Sequence, residues 1–358
     1  MKKVCFLIGN INHSGGTERV TTLISNALSD SPNYEVHILS LCKGESPFFY
    51  QNDQIINNYL FESKVSMKRN FLQAIIRIRA YLNYNNIDTL IVVDSISCIF
   101  TVPACIGLKV NHICWEHFNF DVNLGVKYRD IGRKWAAKYC DYVVTLTKSD
   151  KELWEQGLKK INAKIVAIAN PTPYEDIEHM PSLEHKTILA LGRLTYQKGF
   201  EFLIEAWSQV CHQNKDWILR IVGSGEDEKA LKEQSQRLGV LNRIDFVPAT
   251  KNVEHYYKTS SFYCMSSRFE GLPMVLLEAQ SFGLPLVAFN CNTGPSDIIE
   301  NGVNGYLVES LNVSELANKL LDMSKKPLDD YVEMVNLSKL NSRKFYLENI
   351  LNQWLNII

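Results

Sequence analysis

The feature that most constrains this chain is a rhythm. Short apolar runs of four to seven residues, VCFLIG, EVHILSL, TLIVV, HICW, YVVTLT and KIVAIAN, are each separated by stretches long enough for amphipathic helices. Runs that are apolar on both faces need cover on both sides, as in a parallel sheet wrapped by helices. After residue 186 the rhythm restarts, with ILALG, WILRIVG, RIDFVP, FYCMSS, PLVAF and GYLV. Between the two series lies NPTPYEDIEHMPSLEHK (170–186), which has three prolines and no helical period and reads as an interdomain connection. The expected fold class is α/β, with two Rossmann-like, doubly wound domains in tandem. Ligands of such sheets sit beyond the carboxyl ends of the strands, so two domains facing a cleft are expected to share one.

A length of 358 residues suits two domains, and 46% apolar with 22% charged residues is a globular composition. The longest apolar stretch, TLIVVDSISCIFTVPACIGL (89–108), is broken by Asp94 and Pro103 and reads as a buried strand followed by a helix, not a membrane span. The opening MKKVCFLIGN is followed by polar residues and GG and reads as a first strand, not a leader. Nine cysteines without a CxxC pair fit reduced, structural thiols in a cytoplasmic protein. Residues 1–170 hold 20 Lys and Arg against 15 Asp and Glu, while the remainder holds 18 against 24. The basic half is compatible with an anionic partner, such as a membrane surface or a phosphorylated substrate, and equally with a chance spread of solvated charge. No nucleic-acid partner is expected.

Five strand-end segments carry chemistry. In GNINHSGGTERV, Gly15 and Gly16 allow close backbone approach, and a helix starting near Thr17 would aim free N–H groups at an anion; a tight turn would need the same glycines. In LALGRLTYQKGF, Gly192 ends a strand and is followed by two cations, Arg193 and Lys198, suited to a diphosphate or simply to solvent. In RIVGSGEDEKALKE, Gly223 ends another strand, and the acids that follow suit a helix's first turn. SRFEGLPMVLLEAQ sets Glu270 and Glu278 around an apolar helix with almost no wet face. There, with Pro273 suited to the first turn of the helix, the free backbone N–H groups of Gly271, Leu272, Met274 and Val275 would face a phosphate, Glu270 a polyhydroxyl group and Glu278 a ribose. A buried salt bridge to a base elsewhere is the other reading of Glu278. NHICWEHFNF ends a strand at Glu116 and His117. His112, Cys114 and His117 match no zinc spacing, and strand alternation sends 117 away from 112 and 114, so no metal is expected.

Taken in order, GGTER, WEHF, GRLTYQKG, VGSGE and SRFEGLPMVLLEA resemble the retaining family 4 glycosyltransferases of the GT-B fold, over nearly the whole chain. The resemblance implies sugar transfer from a nucleoside diphosphate donor with retention of anomeric configuration, without a metal ion or other cofactor. No Asp-x-Asp of the metal-dependent kind is present. By position it implies that Arg193 and Lys198 neutralise the diphosphate, that Glu270 contacts the donor sugar and Glu278 the ribose. Gly16 would lie against the diphosphate and acceptor, and His117 against the donor sugar. CNTGPSDIIENGVNGYLV (291–308) is similar to a segment of members that extend lipid-linked oligosaccharides, O-antigens or capsules, with Asp297 where Glu is usual. In DFVPAT, Pro248 and Ala249 replace the commoner glycine near the base.

The expected parts are an acceptor domain over 1–170, a nucleotide-sugar domain over 186–338, and a last helix within 339–358 that crosses back. SMKRNFLQAIIRIRAYL (66–82) aligns Phe71, Leu72, Ile75, Ile78 and Leu82 on one helical face, with Lys68, Arg69, Arg77 and Arg79 nearby. It reads as a membrane-facing helix or as an ordinary domain helix. The expected activity is transfer of a hexose or N-acetylhexosamine from a UDP-sugar to a polyprenyl-diphosphate-linked glycan, at the cytoplasmic face of the inner membrane. A UDP-sugar epimerase of the same fold and a non-catalytic sugar-nucleotide binder are the alternatives.

Overall fold

The structure, a computed structural model, describes residues 1–63, 66 and 68–358. Among the described residues the chain forms two compact units: Met1–Pro171 with Leu347–Ile358, and Thr172–Tyr346.

The first unit holds a parallel sheet of β1 (Lys2–Ile8), β2 (Tyr34–Cys42), β3 (Ile56–Phe61), β4 (Thr89–Val93), β5 (Asn111–Trp115), β6 (Tyr142–Thr145) and β7 (Lys164–Ala167). Their spatial order is β3-β2-β1-β4-β5-β6-β7, so the winding reverses between β1 and β4. β1 and β4 are buried almost throughout, as strands covered on both faces must be. The helix Leu347–Leu355 belongs to this unit: Trp354 is fully buried, edge-on to Trp115 of β5 at 4.8 Å. β3 lies outside the apolar rhythm because it is an edge strand whose first four residues are exposed.

The second unit holds β8 (Thr187–Leu191), β9 (Ile218–Val222), β10 (Ile244–Val247), β11 (Phe262–Met265), β12 (Leu286–Asn290) and β13 (Gly305–Glu309), all parallel. Their order is β10-β9-β8-β11-β12-β13, with the reversal between β8 and β11. A core of Trp207, Leu203, Ile204, Phe262, Leu316 and Leu320 fills the space between this sheet and the helices Phe200–Val210 and Val313–Ser324.

Two boundaries differ from the expectation. Residues 172–185 pack on the second unit: the Thr172 and Ser281 hydroxyls lie 2.8 Å apart, and Lys339 Nζ donates to the Ile177 carbonyl at 3.2 Å. Residues 339–346 also stay with the second unit, because the helix Leu328–Ser342 buries Met334, Val335 and Ser338 there.

The segment 66–82 is corrected as well. Met67 lies outside the described residues, and the helix spans Phe71–Asn85. Ala74, Ile78 and Leu82 point inward, whereas Leu72 and Ile76 are 71% and 66% exposed. Arg77 donates to the Leu60 carbonyl, and Arg79 donates to those of Ala104 and Ile106 at 2.8 and 2.7 Å. Two of the four cations therefore tie the helix to its own unit.

Candidate active site

In the second unit the expected residues gather at the carboxyl ends of β8, β9 and β11, around the winding reversal where open sheets bind ligands. Gly192 follows β8, and its N–H continues the ladder to the Val222 carbonyl at 3.0 Å. Gly223 follows β9, where a Cβ would overlap the Gly192 carbonyl oxygen, so glycine alone lets the two loops touch. Arg193 is exposed and has no ion-pair partner among the described residues. Its charge is open to an incoming anion.

Lys198 closes a short turn before the helix Phe200–Val210, and its Nζ lies 2.7 Å from Glu270 Oε1. Both side chains are largely buried. The backbone carries the same link: Ser266 Oγ donates to the Lys198 carbonyl at 3.1 Å, and Arg268 N–H donates to that of Gln197 at 2.8 Å. Thr293 Oγ1 donates to the Glu270 carbonyl at 2.6 Å. The loop after β11 is thus fixed before any ligand arrives, with a cation and a carboxylate on neighbouring loops.

The helix after this loop runs Met274–Ser281, one residue later than the sequence placed it, with Pro273 as its N-cap. No side chain caps its amino end, which leaves first-turn N–H groups to a ligand. Leu272 and Pro273 are buried and brace the turn, Gly271 is half-buried, and Met274 and Val275 are partly accessible. Gly294 (φ 98°) packs beneath; a Cβ there would press on Pro273 and the Gly271 carbonyl.

Glu278 is buried inside that helix, and one of its partners is the Tyr257 hydroxyl, which donates to Oε2 at 2.8 Å. Tyr257 is wholly buried and stacks on Phe282, centroids 5.1 Å apart. Burial, and then the Glu278 charge, push the Tyr257 phenol well above its ordinary range, so it stays a donor. Tyr257 is the positioning residue that sequence reasoning missed. A tyrosine 21 residues away on another helix carries no local signal.

In the first unit, Gly15 is the N-cap of the helix Gly16–Ser29 in extended conformation, and both glycines are exposed at the carboxyl end of β1. His117 follows β5 and packs its ring on Trp115 at 4.5 Å. Burial pushes its imidazole down to about 3, so it is neutral at working pH, and its Nε2 has no partner among the described residues. Glu116 holds the loop: it accepts from the His117 and Phe118 N–H groups at 3.0 and 3.1 Å and from the Ser95 hydroxyl. Buried Arg133 completes the clamp, donating to Glu116 at 3.2 Å and to the carbonyls of Asn119, Phe120 and Val122. Glu116 was read from the sequence only as His117's neighbour.

Comparison with known proteins identifies the family. Residues 175–340 match the family described as glycosyl transferases group 1, and residues 14–175 match glycosyltransferase family 4. A Haemophilus influenzae protein described as an uncharacterized glycosyltransferase is 39% identical, covering 100% of both chains. A Campylobacter jejuni α-1,4-N-acetyl-D-galactosaminyltransferase, named for an undecaprenol-diphosphate-linked GalNAc acceptor, is 27% identical over 100% of this chain and 98% of its own. The crystal structure of Anabaena HepE with UDP and glucose superposes with a TM-score of 0.79 over 99% of each chain at 16% identity, a likeness of fold. The chain belongs to the family 4 glycosyltransferases and has their GT-B fold.

Proposed function

We propose that the protein is a retaining, metal-independent transferase that moves a hexose or N-acetylhexosamine from a UDP-sugar to a lipid-diphosphate-linked glycan during surface polysaccharide assembly. The observation that carries the reading is the arrangement at the ends of β8 and β11: exposed Arg193, the Lys198–Glu270 pair, and the uncapped helix at Met274. In this reading Arg193, Lys198 and the N–H groups after Gly271 take the diphosphate, while Glu270 takes sugar hydroxyls. Glu278, oriented by Tyr257, takes the ribose. Gly192 and Gly223 let the backbone come close, and Gly15, Gly16 and His117 serve acceptor and donor sugar from the first unit.

The chemistry these groups serve is charge separation. The bond from the anomeric carbon to the diphosphate oxygen breaks, leaving an oxocarbenium-like centre and a diphosphate leaving group that has gained one negative charge. Two cations and a helix amino end stabilise that negative charge where it develops. The acceptor oxygen then bonds the anomeric carbon on the departing face, and its proton passes to the leaving phosphate oxygen. UDP and the extended glycan result, and no protein base is required.

No helix among the described residues is long and apolar enough to cross a membrane. Peripheral contact with the cytoplasmic face of the inner membrane is proposed through exposed Leu72 and Ile76, with exposed Lys68 and Arg69 alongside.

The test is incubation with a panel of UDP-sugars and a polyprenyl-diphosphate glycan, followed by mass spectrometry of nucleotide and glycan. Acceptor-dependent UDP release is expected, and Arg193→Ala should lower kcat by about 10²–10³ while the protein stays folded. Sugar inversion without UDP release would instead identify an epimerase, and UDP binding without turnover on any pair a binder.

A further inference from the structure

Away from the transfer site, three groups that the sequence keeps apart meet in the first unit's core. Cys98 opens the helix Cys98–Cys105, His112 lies on β5, and Cys140 follows the helix Lys127–Tyr139. Their ligating atoms all lie within 4.8 Å of one another, and all three residues are buried. Cys140 Sγ is 3.6 Å from His112 Nδ1. A tetrahedral zinc site, with bonds near 2.3 Å to sulfur and 2.0–2.1 Å to nitrogen, sets its sulfur and nitrogen ligands about 3.5 Å apart.

A fourth thiol, Cys114, lies two residues beyond His112 on β5, on the same face and in the same core cluster, just outside the 4.8 Å group. The imidazole is already oriented as a ligand: His112 Nε2 faces the buried Thr101 hydroxyl at 3.0 Å. With the proton on Nε2, the Nδ1 lone pair is directed at the thiols, the outer hydrogen bond that metal-binding histidines use.

We propose that Cys98, His112 and Cys140 bind a structural zinc ion, with the Cys114 thiol turning in as the fourth ligand. Thiolate and imidazole together select a soft or borderline cation, and four protein ligands close the site to substrate. Such an ion would pin β5 to two helices and leave the transfer chemistry metal-free. The His112, Cys114 and His117 trio considered from sequence is replaced by a different set: His117 packs against Trp115, which lies outside the core cluster that holds the thiols.

The test is metal analysis of the full-length protein, purified without chelator from zinc-supplemented medium under reducing conditions. Plasma mass spectrometry is expected to find about one zinc per chain. Exchange with cobalt(II) should give a thiolate charge-transfer band and tetrahedral ligand-field bands. Cys140→Ser should lose the metal and melt at lower temperature, whereas a control at the half-buried Cys42, Cys42→Ser, should keep it. If Cys140→Ser does not fold, the wild-type measurements decide alone. Substoichiometric metal with no cobalt spectrum, or a Cys98–Cys140 disulfide found by peptide mapping, would overturn the proposal. None of these readouts depends on the donor or acceptor.

Discussion

Tyr257→Phe isolates one hydrogen bond in the candidate donor site. Phenylalanine keeps the ring, its burial and its stacking on Phe282, and removes only the hydroxyl that donates to Glu278 at 2.8 Å. A hydrogen bond to a charged acceptor contributes about 1.5–3 kcal/mol, and here the acceptor is buried, so the loss should fall in that range. For a unit of this size that corresponds to a melting temperature lower by roughly 3–10 °C. If Glu278 needs this bond to hold the orientation that meets the ribose, UDP affinity should fall roughly tenfold, worth about 1.4 kcal/mol, with a smaller effect on kcat. Calorimetric titration of UDP and thermal melts read both quantities. A double-mutant cycle with Glu278→Gln should return a coupling of about 1–3 kcal/mol. Strict additivity, or a Tyr257→Phe protein with unchanged melting and UDP binding, would refute the positioning role.

Other perturbations address different parts of the chain. Lys198→Met should leave the Glu270 carboxylate without its cation and lower kcat by about 10²-fold, with partial recovery in the Lys198→Met/Glu270→Gln double variant, measured by steady-state UDP release. Gly223→Ala should push the β8 and β9 end loops apart and cost about 1–3 kcal/mol in urea unfolding, with weaker UDP binding. Asp150 is buried against the Phe120 N–H, which it accepts at 2.7 Å, and burial raises its carboxyl to about 7. Because the folded value exceeds the unfolded one, native Asp150 holds its proton where the unfolded chain has lost it. Its favourable contribution is therefore complete below about pH 4 and is lost as pH rises through about 7. Asp150→Asn keeps the acceptor without the charge, so its stability advantage should grow between pH 5 and pH 8 towards about 4 kcal/mol at most. A difference independent of pH in urea melts would contradict this assignment.

Much of the architecture was legible because strands buried on both faces write themselves as apolar runs, and β8 to β13 all coincide with such runs. β3 escaped, since INNYLF at an edge exposes Asn57 and Asn58 and carries no buried pattern. The helix after Phe71 shows a related failure. Its period was correct, yet Leu72 and Ile76 face outward, and Arg77 and Arg79 serve backbone carbonyls that no periodicity reveals.

By itself the sequence determined two doubly wound domains, the strand-end glycines, and the local order of Arg193, Lys198, Glu270 and Glu278. These follow from backbone sterics and from side-chain spacing along a single element. Tertiary structure alone decided the pairing of Lys198 with Glu270, the Tyr257 hydroxyl on Glu278, and Arg133 clamped onto the Glu116 loop. It also decided the meeting of Cys98, His112 and Cys140. The physical reason is shared: each involves groups on different elements, brought within hydrogen-bonding range only when the helices close over their sheet. A buried polar atom must find its partner there, and the sequence does not say which neighbour packing will supply.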